Sequence, residues 1–329
     1  MKRLLAQIAT SLVLIAPALA LPCAADPVPG HAVLTDDTAP DRPLSLSLWY
    51  PAQGGDTVPI GGNAVFEATP AVPDARVPGG RLPLILLSHG GLRSAADSGA
   101  WLAAALAAEG FLVVEVNAPA PATAAAAVDE IWQRRRDIRR GLDRILADPV
   151  WSGHVDPGRI SVLGFALGGT AALSLAGAAF DPEAYLRACS GPVQEDPDCA
   201  WFAAQSVTMD RVDQAELGRP GADSRIAFAV AIAPEYLKAF PAKAQGAALP
   251  ALIMTLGPQP LAGPPPARQI AFPRAQTADA FALCTQAGAQ ILRDEGEDPA
   301  LCGQDPGARA ESHAALIAAI RDALAGARP

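Results

Sequence analysis

The sequence has little that would draw it to nucleic acid or let it hold a metal. Acidic residues outnumber basic ones by 34 to 25, for a net charge of −9, which disfavours a polyanionic partner. None of the five cysteines forms a Cys-x-x-Cys pair, so the usual zinc and redox signatures are missing and no cofactor or metal is expected. Histidine is scarce: the chain holds His31, His89, His154 and His313, with none between the last two. Aromatics make up 5% and charged residues 18%, yet half the chain is apolar. That is ample for a buried core and leaves no reason to expect global disorder.

Long apolar runs are confined to the start. Lys2 and Arg3 precede a mostly apolar stretch, Leu4 to Leu19, followed by small residues. This is the order of an export signal, so the expected organisation is a leader over 1–25 and one α/β domain over 26–329. The mature protein would be periplasmic or secreted, with no stable membrane span. Cleavage fits after Ala20 or after Ala25, and Pro22 weakens a lipid-anchor reading of Cys23. The later cut removes Cys23 and leaves an even set, Cys189, Cys199, Cys284 and Cys302. An oxidising compartment favours bridging. Three pairings are formally open, and short polar loops suggest Cys189–Cys199 and Cys284–Cys302.

Leu44 to Tyr50 alternates apolar and polar residues like a half-buried strand, and Gln53 to Gly80 reads as a connecting segment. An alternation then begins: strand Leu84 to Leu87, helix Ser98 to Glu109, strand Phe111 to Val116, helix Ile131 to Leu146, strand Arg159 to Leu163, helix Gly168 to Ala176. Short apolar strands alternating with helices predict a doubly wound, mostly parallel sheet. A Pro-rich insertion at about 181–224, carrying Cys189 and Cys199, is expected over the carboxyl ends of the strands. Ile226 to Ile232, Ala251 to Thr255 and Gln269 to Phe272 read as later strands, and Ala308 to Ala325 as the closing helix. The cluster Arg134, Arg135, Arg136, Arg139, Arg140 and Arg144 is expected on a solvated helix face.

The chemical information sits at Gly164-Phe165-Ala166-Leu167-Gly168, between a predicted strand and helix. Gly-x-Ser-x-Gly in that context makes a nucleophile elbow, a strained turn that lifts the serine clear of the sheet. The glycines remain and the central residue is alanine. Upstream, Ser88-His89-Gly90-Gly91 ends an early strand where such folds place one oxyanion donor; the other is the backbone N–H of Leu167.

Trp49-Tyr50-Pro51-Ala52, Leu87-Ser88-His89-Gly90, Arg136-Asp137-Ile138, Val155-Asp156-Pro157-Gly158-Arg159-Ile160 and the Cys284 and Cys302 region together resemble the bacterial dienelactone hydrolase and platelet-activating-factor acetylhydrolase-like group of α/β hydrolases. The likeness runs from about Gly30 to Ala325. It implies an α/β-hydrolase fold with serine at the elbow, an acid after a late strand and a histidine in the following loop, acting on esters or lactones.

At those three positions this sequence departs from the group. The nucleophile position is Ala166, the acid position falls at about Pro260 and the histidine position at about Thr277. Alanine has no atom that attacks a carbonyl. The expectation is a pseudo-hydrolase that binds a small carboxylate or ester-like ligand at His89, Gly90, Gly91 and Leu167, or binds a protein partner. The competing expectations are an ester or lactone hydrolase with relocated residues, and a purely structural protein. Among substitutes, Ser88 faces away from its neighbour His89, Thr170 reads as packed, and Asp279 has no partner histidine.

Overall fold

The computed structural model describes residues 28–92, 94–190, 198–240, 250–258, 267–303 and 305–326. The leader and Pro260 lie outside the described residues.

Among the described residues ten strands form the sheet: β1 (Pro29–Asp36), β2 (Leu44–Pro51), β3 (Val58–Ile60), β4 (Thr69–Pro73), β5 (Leu82–Ser88), β6 (Leu112–Asn117), β7 (Val155–Phe165), β8 (Phe228–Ile232), β9 (Ala251–Leu256) and β10 (Arg268–Phe272). Their order is β10-β9-β8-β7-β5-β6-β2-β1-β4-β3. The six strands from β6 across to β10 are parallel to one another. β2 joins antiparallel to β6, and β1 antiparallel to β2.

The longer helices α1 (Ala100–Ala108), α2 (Glu130–Ala147), α3 (Leu167–Leu175) and α4 (Pro306–Gly326) cover the sheet. Alternate residues of a strand point to opposite faces, and the core divides accordingly. Leu84, Leu86, Leu112 and Val114 pack with Ile131, Ile138, Leu142 and Ile145 of α2 and with Ala171 and Leu175 of α3. Ile85, Leu87, Val113 and Leu163 pack with Leu102 and Leu106 of α1 and with Leu316 and Ile320 of α4. Both faces are therefore covered, as a parallel sheet requires.

Two expectations need correction. The segment 53–80 is not merely connecting, because it supplies β3 and β4. These are short, proline-containing strands at one end of the sheet, β3 forming its edge, and proline is tolerated only where a ladder N–H is dispensable. The arginines of α2 do not mostly face water either. Arg42 bonds Asp137 at 2.8 Å and pairs with Glu130 at 2.7 Å, all three being buried. Arg140 pairs with Asp36 at 2.6 Å, and Arg135 donates to Ser174 Oγ at 3.1 Å and to the Glu216 carbonyl at 2.6 Å. Arg136 is the exposed member, lying over the Trp132 ring. Helical spacing sorted apolar from charged residues correctly but could not reveal partners arriving from elsewhere: Asp36 of β1, Arg42 of the β1–β2 turn and Asp223 of the insertion.

The insertion contains short helices at Pro182–Leu186, Cys199–Ala204 and Gln214–Leu217. It packs on the amino-terminal half of α2 and the residues just before it, through Tyr185 Oη to the Val128 carbonyl at 3.0 Å and the Arg135 bonds above. Both disulfides are as expected, Cys189–Cys199 inside the insertion and Cys284–Cys302 near the start of α4.

Candidate functional site

β7 ends at Phe165, α3 begins at Leu167, and Ala166 between them has φ 54° and ψ −124°. A non-glycine residue held there stores about 1–3 kcal/mol of strain. The flanking glycines make the turn possible: a Cβ on Gly164 would lie 2.1 Å from the Gly168 carbonyl oxygen, and one on Gly168 would lie 1.9 Å from the Ser88 carbonyl oxygen. Neighbouring loops are stitched to the turn. Ala166 N–H donates to Ile232 at 3.0 Å, Gly90 N–H to Phe165 at 3.2 Å and Gly168 N–H to Gly90 at 3.4 Å. The backbone N–H groups of Leu167 and Gly91 donate to no backbone acceptor among the described residues. The elbow turn is present, and its side chain is a methyl group buried to 4% exposure.

The expected base loop carries no imidazole at the elbow. Thr277 is exposed in the short 3₁₀ turn Thr277–Ala280. Asp279 accepts from Gln276 N–H at 2.9 Å and lies 3.6 Å from Arg309, so its carboxylate caps the turn. Two of the chain's histidines clamp this loop from outside. His89 donates through Nε2 to the Ala280 carbonyl at 2.8 Å, while its Nδ1 faces Ser98 Oγ at 3.3 Å. His313 directs Nε2 at the Asp279 and Phe281 carbonyls and stacks on Trp101. Burial, with the charges of Arg134 and His313, pulls His89 down to about 4 despite its bond to Ala280; it is a neutral anchor at pH 7. Thr170 is packed, as expected, donating to the Glu235 carbonyl at 2.6 Å.

Two charged residues at the elbow escaped the sequence reading. Arg134, read as part of a solvated face, donates to the Gly90 and Gly91 carbonyls at 3.0 and 2.6 Å and fixes the donor loop. Glu235 brings its carboxylate to 3.5 Å from where a Cβ on Gly91 would lie. Its position after β8, beside the elbow strand, is the signal that could have found it, because pockets form at the carboxyl ends of such strands. A cavity of about 40 Å³ adjoins this region, with Ser88, His89, Asn117, Glu130 and Arg134 in its lining. It has room for a few waters rather than a ligand, and Ala166 is not in its wall.

Neither family models nor curated proteins match the chain. Among solved structures, a ferulic acid esterase from Streptomyces cinnamoneus superposes with a TM-score of 0.56 over 92% of this chain and 90% of its own, at 18% identity. The chain has the α/β-hydrolase fold. Identity that low carries the fold and nothing finer. Within this α/β-hydrolase fold, Ala166 occupies the strand-to-helix elbow.

Glu115, on β6 below the donor loop, accepts from Gly99 N–H at 2.7 Å and so holds the start of α1. Burial, reinforced by the charge of Asp97, pushes its carboxyl up to about 8. Because the folded-state value lies above the unfolded one, its contribution is fully present below about pH 4.5 and is lost as pH rises through about 8. The melting temperature should therefore carry a falling component between pH 5 and 8. Thermal melts of Glu115→Gln should be flatter over that range; an unchanged slope would show that Glu115 does not titrate there.

Proposed function

We propose that this chain is a noncatalytic α/β-hydrolase-fold protein, a pseudo-hydrolase of the dienelactone hydrolase and platelet-activating-factor acetylhydrolase-like type. In this reading it is exported to the periplasm or beyond and uses its elbow to bind a small carboxylate or ester-like molecule or a protein partner. The observation that carries it is Ala166: the strained elbow conformation is kept at its energetic cost, and the side chain is a methyl group. The covalent step of ester hydrolysis has no atom to begin from. Backbone donors do not depend on side-chain identity, so the N–H groups of Leu167 and Gly91 still suit a carbonyl oxygen. Without a nucleophile, an oxyanion hole supports only about 10³–10⁴-fold acceleration over water in the well-studied serine proteases. Export is supported by the leader pattern and by the two disulfides.

The Glu235 carboxylate favours one competing reading, an ester or lactone hydrolase with relocated residues, because it is an ionisable group beside the donors. A single variant separates the two. Ala166→Ser restores the hydroxyl but no base, since both ring nitrogens of His89 are already engaged. Its cleavage of aryl acetates should stay at the buffer rate, and substantial turnover would contradict the noncatalytic reading.

A further inference from the structure

A cleft of about 390 Å³ opens at the opposite end of the sheet from the elbow, between Gln53 and Gly54 after β2 and the segment 75–79 that leads into β5. β2 runs antiparallel to β6, and β5 runs parallel to β6 and β7. The end of β2 and the start of β5 therefore both lie where the parallel strands begin. The seven residues of β5 put about 20 Å between this cleft and the elbow. Pockets that take small molecules run to about 300–1,000 Å³, and this one is large enough.

Its wall is held from both ends. Asp74, at φ 48°, donates its N–H to the His31 carbonyl at 2.7 Å. Tyr50 Oη donates to the Ala75 carbonyl at 2.8 Å, and the Tyr50 ring is buried edge-on against Trp151. On the far side, His154 Nδ1 meets the Gly80 carbonyl at 3.3 Å and Arg81 donates to the Val155 carbonyl at 3.3 Å. A non-glycine residue stays at positive φ only where its surroundings over-determine it, so the cleft is preformed. Between these anchors the N–H groups of Val77 and Gly79 donate to no backbone acceptor among the described residues. A Cβ on Gly54 or Gly79 would meet nothing within 4 Å.

Arg76 is the one charged residue in this wall. Its exposed guanidinium makes no hydrogen bond or ion pair among the described residues, and neither Asp56 nor Asp74, the nearest acids in the chain, pairs with it. In a chain of net charge −9, the cleft thus offers an open cation and no acid. A guanidinium fork matches a carboxylate in shape and charge. One guanidinium balances one negative charge, which disfavours a phosphate dianion, and an ammonium group would be repelled. Ala75, Val77 and Pro78 give the wall its apolar part. We propose that this cleft is a second ligand site, one for small organic monocarboxylates whose charge pairs with Arg76 and whose apolar body lies against Val77 and Pro78. It is independent of the reading of the elbow.

The test is ligand-observed NMR on the purified chain at pH 7.5 with 3-phenylpropionate, 3-phenylpropanamide and 3-phenylpropylamine as probes. Charge-assisted hydrogen bonding predicts that the carboxylate binds about 10-fold more tightly than the amide and that the amine binds weakest. Arg76→Gln should bring the carboxylate down to the level of the amide. Gln53→Glu adds the acid that the wall lacks and should weaken the carboxylate to a similar degree. Both side chains are exposed, so both variants should keep the native urea midpoint. Equal binding of carboxylate and amide, no binding of the carboxylate, or an unchanged preference in either variant overturns the proposal. Carboxylate binding that survives Arg76→Gln intact places the ligand elsewhere, the elbow included, and also overturns it. An acyl adduct at the elbow would overturn the noncatalytic reading alone, because it would leave the dependence on Arg76 untouched.

Discussion

Gly168→Ala is expected to yield little or no folded protein. The added Cβ would sit 1.9 Å from the Ser88 carbonyl oxygen and 3.0 Å from Ser88 Oγ. Ser88 ends β5, a central strand flanked by β6 and β7, so the backbone atom in the way has nowhere to go. Gly164→Ala meets the same obstacle against the Gly168 carbonyl at 2.1 Å. Either change should cost on the order of 4 kcal/mol or more, the range reached only when a core must be rebuilt. Gly79→Ala, with nothing within 4 Å of its Cβ, is the control and should leave the urea midpoint unmoved. Expression yield and urea unfolding followed by tryptophan fluorescence read all three. A stable Gly168→Ala protein would mean that β5 and the elbow are not packed as described.

Arg42→Met should be the most damaging side-chain truncation away from the elbow. Arg42 reaches from the β1–β2 turn to bond Asp137 at 2.8 Å and Glu130 at 2.7 Å, and all three residues are buried. Removing the cation leaves two carboxylates in a low-dielectric interior, with Arg134 and Arg140 at 3.5 Å as their remaining partners. Breaking a buried pair in this way costs about 3–5 kcal/mol, and the residual partners argue for the lower end. Replacing the acids as well, by Glu130→Met and Asp137→Leu, should restore most of the loss, because an apolar cluster does not suffer the same desolvation. A destabilisation that remains in the triple variant would show that packing rather than charge is responsible.

These two sites mark what was legible in the sequence. The central strands and helices could be read because Leu84 to Leu87, Phe111 to Val116 and the α2 residues Ile131, Ile138, Leu142 and Ile145 carry their periodicity in local order. The elbow was legible for the same reason, since Gly164, Ala166 and Gly168 are contiguous. Both disulfides followed from short loops and an even count of cysteines. β3 and β4 could not be read, because Val58-Pro59-Ile60 and Thr69-Pro70-Ala71-Val72-Pro73 take their hydrogen bonds from β1 and from each other rather than from local propensity. Arg134 and Glu235 were missed because their roles depend on partners about 40 and 140 residues away in the chain, Gly90 with Gly91 in the first case and Gly91 in the second. Charge spacing along one helix says nothing about such partners.

The most direct measurement is intact-mass analysis of the purified native chain after incubation with a fluorophosphonate probe, run beside an aryl acetate hydrolysis assay. With a methyl group at the elbow and both ring nitrogens of His89 bound elsewhere, the mass should stay unchanged and the ester should hydrolyse at the rate of buffer. A stoichiometric adduct on any side chain, together with turnover above buffer, would contradict the account.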